Sequence, residues 1–390
     1  MSGTIQASVV KDSASATNNL TLDTSGNATV GNNLTVTGGM VPSSSFLRNR
    51  IINGDMRIDQ RNSGAQITAA NLTTGTYMVD RWVYISSQAA KFTAQQNAGA
   101  VTSAVGFPNY LGMTVASAVT VGASDYFAIA QSIEGFNFAD LAWGTANAKT
   151  VTLSFQVYSS LTGTFGGALI NSGATRSYPF SYTVSSANTW TSISVTIAGD
   201  TSGTWVGSTN SIGVSVRLGL GAGSTFSGTA GAWATGNYIS PTGAVSVVGT
   251  ASATFYVTGV QLEVGSVATP FERQIYSTQL AQCQRYYQKS YDITTVPGTA
   301  SSTAGCVGSI LNSGGVGYTN SVFKVTMRAT PSTVTAYNAI TGATGTWSDG
   351  GGLSPATSAN ISGANNVIFY STGGSGSSNV YGHFIASAEL

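Results

Sequence analysis

The acids on which chemistry could be built are Asp55, Asp59 and Asp80. Two of them lie in the stretch Asn49-Arg50-Ile51-Ile52-Asn53-Gly54-Asp55-Met56-Arg57-Ile58-Asp59-Gln60-Arg61, and the third opens Asp80-Arg81-Trp82. Two carboxyl groups facing one bond are what glycoside hydrolysis requires. Here each acid has an arginine within two residues. A neighbouring guanidinium favours the ionised carboxylate and spoils a general acid. The spacing therefore points to a structural ion network of Asp55, Arg57, Asp59, Asp80 and Arg81, buried or at a sheet edge, with an acidic ligand-binding site as the rival reading. Met56 and Ile58 alternate with Asp55, Arg57 and Asp59, which predicts a strand with one apolar and one charged face.

Other reactive groups are sparse. The one histidine, His383, sits between Gly382 and Phe384 in a predicted strand, where a structural role outweighs a ligand role. No Ser–His–acid or Cys–His set assembles around it from spacing alone. Gly219-Leu220-Gly221-Ala222-Gly223 lacks the lysine and following helix of a phosphate loop, and no cofactor is expected. The aromatics point elsewhere. Trp347 lies in Thr344-Gly345-Thr346-Trp347-Ser348-Asp349-Gly350-Gly351-Gly352, too glycine-rich for a core strand. An exposed Trp beside Asp and Ser suits a sugar, with the ring against its apolar face; buried packing is the equal alternative. Tyr318 and Tyr337, at loop or strand ends, are companion ligand-binding candidates, and Trp205 and Trp233 carry the same ambiguity as Trp347.

Composition bounds the class. Charged residues make up 7% of the 390, far below the roughly 25% of ordinary soluble proteins, while Gly numbers 48 and hydrophobic residues reach 42%. That combination describes a turn-rich, mainly β protein whose surface is hydroxyl and amide. A net charge of +1 gives no basis for nucleic-acid binding, and few repelling surface charges favour self-association. Cys283 and Cys306 cannot make a disulfide framework. Met1 to Val10 lacks the pattern of a signal peptide, and no apolar run of about 18 residues predicts membrane insertion.

The positioning elements follow in chain order. Asn18-Asn19-Leu20-Thr21-Leu22 recurs as Asn32-Asn33-Leu34-Thr35-Val36, around Ala28-Thr29-Val30, which predicts a fibrous β stem whose short strands need neighbours. Val151, Leu153, Phe155 and Val157 alternate with Thr152, Ser154 and Gln156. Ile193, Val195 and Ile197 alternate with Ser192, Ser194 and Thr196. Ile212, Val214, Val216, Leu218 and Leu220 alternate with Gly213, Ser215, Arg217 and Gly219. Such one-faced strands predict an antiparallel sandwich. In 253–264 the apolar phase of Phe255 and Val257 flips before Val260, Leu262 and Val264, placing a bulge at Gly259. Gln274 to Lys289 predicts a helix, with Tyr276, Leu280, Cys283 and Tyr287 spaced as in a coiled-coil stripe. Beyond Ser290, apolar runs at 307–311, 322–327, 333–337, 367–370 and 381–385 predict a second, smaller β domain.

Asn49 to Arg61, followed by Asp80-Arg81-Trp82, resembles the opening of a domain common in tail fibres of bacteriophages and prophages. Val260-Gln261-Leu262-Glu263-Val264-Gly265-Ser266-Val267-Ala268-Thr269-Pro270-Phe271-Glu272-Arg273 is similar to its closing strand, and Gln282-Cys283-Gln284-Arg285-Tyr286-Tyr287-Gln288-Lys289 to the helix that often follows. The resemblance implies a jelly-roll sandwich related to carbohydrate-binding modules, a homotrimeric fibre and adhesion to a host-cell surface, with no catalytic residues carried over. The expected organisation is a stem and tail attachment in 1–45, a jelly roll in 46–273, a short trimerising helix in 274–290 and a C-terminal β tip in 291–390. Expected partners are a host glycan at the tip and other tail or baseplate proteins at the N-terminus, in a virion assembled in the host cytoplasm. Two alternatives stand beside it. A glycan-degrading tailspike would need unpaired acids in a cleft, and a purely structural baseplate component would lack exposed aromatics at its tip.

Overall fold

A computed structural model describes Val9–Val10, Leu20–Leu22, Ala28–Val30 and residues 48–390, apart from 71–74, 303–304, 351–352 and 375–378. Two compact units are present, 1–46 and 47–390. In the first, the three short strands pair antiparallel in consecutive order. The repeat copy at Asn32–Val36 lies outside the described residues. Among the described residues no helix is long and apolar enough to cross a membrane.

The second unit is mainly β, and its larger part is a sandwich of two antiparallel sheets. One sheet runs Thr191–Ile197, Val151–Ser159, Thr254–Val264, Leu111–Val115, Phe92–Gln96, Ile67–Thr68. The other runs Ala234–Thr235, Arg176–Val184, Gly163–Asn171, Ile212–Ala222, Tyr126–Glu134, Trp82–Ser86, Thr76–Val79. Alternation explains why they pack. Val151, Leu153, Phe155 and Val157 from one sheet, and Val214, Val216, Leu218 and Leu220 from the other, bury their side chains in one core with Trp82, Phe127 and Phe165. Burying one such aliphatic side chain is worth about 1.5–3 kcal/mol. Their polar alternates remain on the outer faces.

The expected bulge at Gly259 is present. Ser154 pairs with Gln261 and Gln156 with Thr258, so Gly259 and Val260 together oppose Phe155. The extra residue lets Val257 and Val260, on opposite phases, both enter the core. Gly259 has φ +62°, and a Cβ there would stand 2.6 Å from the Phe107 ring.

Two expectations are corrected. The stretch 49–61 is not a strand. Asn53 and Met56 take positive φ, and the Asn53 side chain binds the backbone of Ile58 and Asp80 in place of a ladder partner. Met56 and Ile58 are buried, but so are Asp55 and Asp59, so no charged face exists. The helix, expected to reach Lys289, spans only Tyr276–Gln284. Tyr287–Lys289 instead forms a strand on Ile385–Ser387. The coiled-coil stripe is therefore broken: Cys283 and Tyr287 are buried within this chain, whereas Tyr276 is exposed.

The C-terminal part has its own core. Asn379–Ser387 pairs with Tyr287–Lys289, Val307–Ile310 and Thr333–Asn338, while Val316–Val322, Asn366–Thr372 and Ala356–Ser362 make a separate three-stranded sheet. Phe323, Trp347, Val367, Phe369 and Phe384 fill the space they enclose.

Gly259→Ala should destabilise the sandwich by about 1–2 kcal/mol, because an L side chain is strained at that φ, and more if Phe107 has to move. Urea unfolding monitored by tryptophan fluorescence measures the loss; an unchanged midpoint would show that the bulge tolerates a Cβ.

Candidate functional site

The charged residues singled out from sequence do meet, in a joint between the sandwich, the helix and the last strand. Asp55 accepts a hydrogen bond from Gln279 Nε2 at 2.9 Å and faces Arg57 Nε at 3.7 Å. Arg57 in turn donates to Gln279 Oε1 at 2.8 and 3.0 Å, so one helical glutamine bridges both. Arg81 pairs with Glu389, donates to the Ser132 carbonyl at 2.6 Å and lies 3.5 Å over the Tyr286 ring. Arg61 pairs with the same Glu389 at 2.7 Å and stacks on Tyr287 at 3.7 Å. Sequence reading missed Glu389, more than 300 residues away in the chain. Asp59 and Asp80 bind amides instead of arginine. Asp59 accepts from the Asn62 and Gly64 amides, and Asp80 from the Gln60 amide at 2.6 Å and Gln60 Nε2 at 2.9 Å. Burial pushes the Asp80 carboxyl up to about 6, against the pull of Arg61 and the Gln60 hydrogen bonds.

A second meeting was invisible in the sequence. Cys306 Sγ lies 3.3 Å from His383 Nε2, the contact of a nucleophile and its base. The hydrogen bonds disarm it. Nε2 is 3.0 Å from the Ser301 carbonyl, which only an N–H can satisfy, so Nδ1 is the acceptor and takes the Ser290 hydroxyl proton at 3.0 Å. With its proton on Nε2, the imidazole cannot accept one from the thiol. Burial lowers the histidine pKa and raises that of the thiol, which keeps both neutral.

Trp347 is a correction. Its ring is fully buried, packed 5.0 Å from Phe369, with Nε1 donating to the His383 carbonyl at 3.3 Å. The indole lies over Gly382, where any Cβ would collide with it. The glycine-rich loop thus serves as a lid on the C-terminal core, and Trp347 offers no exposed platform. Tyr337 is half-buried against Tyr291, at 6.0 Å. Tyr318 is 60% exposed beside Tyr370. Each of the three rings has a different neighbour. Trp205 and Trp233 pack edge-on with Trp143 against the sandwich core.

An aromatic and amide-lined cleft of about 400 Å³ lies elsewhere, on the outer face of the six-stranded sheet. Strand alternation places Ser154, Gln156, Ser192 and Ser194 on its floor. Ser192 donates to Gln156 Oε1 at 3.0 Å, orienting the amide. One side is aromatic, formed by Phe107 and Phe271 with their rings in contact edge-to-face at 5.1 Å and the Arg273 guanidinium 4.9 Å over Phe107. Further along the same face, Tyr158 stacks on Tyr256 at 5.3 Å and meets Trp190 at 5.5 Å. The loop carrying Phe107 is fastened across the sheet by Thr258 Oγ1 donating to the Asn109 carbonyl and Trp190 Nε1 to the Thr102 carbonyl. Hydroxyls and an oriented amide beside an aromatic wall can hold a ligand whose ring has one apolar face and polar edges. The floor was legible as the polar phase of two strands. Phe107, in a loop without periodicity, was not.

Two outcomes follow from Asp80. Asp80→Ala leaves the buried Gln60 amide without its acceptor and should cost about 1–3 kcal/mol, with a melting point restored in part by Asp80→Asn. A carboxyl raised in the folded state contributes stability that is full below its unfolded value near 3.8 and lost as pH rises through about 6. Asp80→Asn should flatten that decline between pH 4 and 6 in a series of thermal melts; an unaltered slope would place its origin in another group.

No family model and no curated protein matches the chain. Several solved structures do. "CBM4 structure and function" is 14% identical, over 55% of this chain and 98% of that one, with a TM-score of 0.28. TmCBM61 in complex with β-1,4-galactotriose is 9% identical, over 56% and 99%, with a TM-score of 0.28. The tripod from the baseplate of bacteriophage Tuc2009 is 14% identical, over 56% and 59%, with a TM-score of 0.20.

Proposed function

We propose that this chain is a non-enzymatic tail-fibre or receptor-binding protein of a phage virion, adhering to a host-surface glycan through the outer-face cleft of a jelly-roll sandwich. The observation that carries the reading is the cleft itself, with Gln156 oriented by Ser192 beneath Phe107 and Phe271. Amide and hydroxyl donors suit sugar hydroxyls, and a chain with only 7% charged residues suits a neutral ligand. The acids of the joint are all engaged in hydrogen bonds or ion pairs, which weighs against the hydrolytic alternative. Residues 1–45 are the stem that meets other tail or baseplate proteins, 46–273 the recognition module, 274–290 the link and 291–390 the tip, where exposed Tyr318 offers a weaker contact. A homotrimer fits a stem of strands two or three residues long, which cannot bury a face alone.

Combined Gln156→Ala and Phe107→Ala should reduce binding to host cells or to glycan arrays at least tenfold in the full chain, since a hydrogen bond and an aromatic contact are each worth about 1 kcal/mol. Unchanged adsorption by the folded double variant would remove the cleft from recognition. Light scattering at micromolar concentration should report three chains per particle, and a monomeric mass would end the trimer reading.

A further inference from the structure

A larger cleft, of about 750 Å³, opens between the outer face of the seven-stranded sheet and the C-terminal sheet. Its chemistry differs from that of the sugar-like cleft. Arg217 projects from the middle of Ile212–Ala222, flanked across the ladder by Ala168 and Ala130, whose small side chains leave the guanidinium room. One arm donates to Asn237 Oδ1 at 2.8 Å, which fixes the plane of the group. Nε is buried with no hydrogen-bond partner, and no carboxylate pairs with Arg217 among the described residues. Burial holds its pKa down to about 10, so at neutral pH the group is still charged.

The other arginines of this joint are compensated, Arg328 by the carbonyls of Asn210, Ala388 and Glu389 and the rest by an acid. Arg61 and Arg81 share Glu389, which also lines the cleft and is thereby committed. A desolvated, oriented and uncompensated guanidinium is costly to the fold unless something else balances it. Beside it, Tyr126 and Phe226 meet edge-to-face at 4.9 Å and line the same cleft. Nε is enclosed, so a ligand meets the Nη groups; an oriented guanidinium edge next to an aromatic wall is the arrangement that receives an oxyanion on a ring-shaped ligand.

We infer that this cleft is a second ligand site, in which Arg217 binds the carboxylate or phosphate of an acidic saccharide while Tyr126 and Phe226 pack against its ring. It stands apart from the outer-face cleft and does not depend on Gln156 or Phe107.

The test is calorimetric titration of the full chain with oligogalacturonate, with inorganic phosphate and with a neutral galactose oligomer of equal length. Oligogalacturonate should bind with an affinity that weakens as salt rises, and the neutral oligomer should show no dependence on Arg217. Tighter binding of phosphate through Arg217 would assign the site to phosphorylated surface polymers. Arg217→Gln should lower acid-ligand affinity by at least about tenfold while raising the melting temperature of the free protein, because the uncompensated charge is gone. Should that variant not fold, Arg217→Lys keeps the charge without the fork and should lose affinity several-fold. Equal affinity in a folded variant, or absence of binding by both anions at millimolar concentration, would overturn the assignment.

Discussion

Glu389 is the hinge pin of the larger unit. Its two oxygens are divided between Arg61 and Arg81, one from the opening stretch and one from the first turn into the sandwich. The rings of Tyr286 and Tyr287 cover the two guanidinium groups. A buried triad of this kind gains little against an apolar core, but it cannot lose a member cheaply. Its value lies in position. The final strand, the turn after the helix and the start of the sandwich are held in one geometry, and the large cleft lies along the seam they make.

Around that joint the helix acts as a strut. Gln279 reaches Asp55 and Arg57 from its middle, and Arg285 at its end makes a bidentate pair with Glu134, both contacts at 2.9 Å. Nine residues are too few to stand alone in water. Tertiary bonds supply what propensity does not, and they use the residues that a coiled coil would have turned outward.

The two clefts divide the surface by chemistry. On one outer face, hydroxyls and an amide lie among aromatics, with Arg273 balanced on two phenyl rings. On the other, a single strand position carries a charge that bonds Asn237 and meets no carboxylate among the described residues. Both faces arise from the same feature, an antiparallel strand that buries one phase and displays the other.

Periodicity and punctuation were local enough to be read directly from the amino acids. The alternation in 151–157, 193–197 and 212–220 marked the core faces, and the phase flip at Gly259 marked the bulge, because side-chain direction along a strand depends only on the neighbouring backbone. The crowding of charge in 48–61 and 80–81 marked a joint without revealing its form. Its acids bind Gln60, Asn62, Gly64 and Gln279, and two of its arginines, Arg61 and Arg81, need Glu389. Trp347 shows the limit most clearly: a glycine-rich loop suggested exposure, yet Gly382, thirty-five residues on, leaves the space that the indole fills. Partners distant in sequence are chosen by the folded arrangement of sheets, and no spacing in the chain encodes which phenyl ring, carbonyl or carboxylate will arrive beside a given side chain.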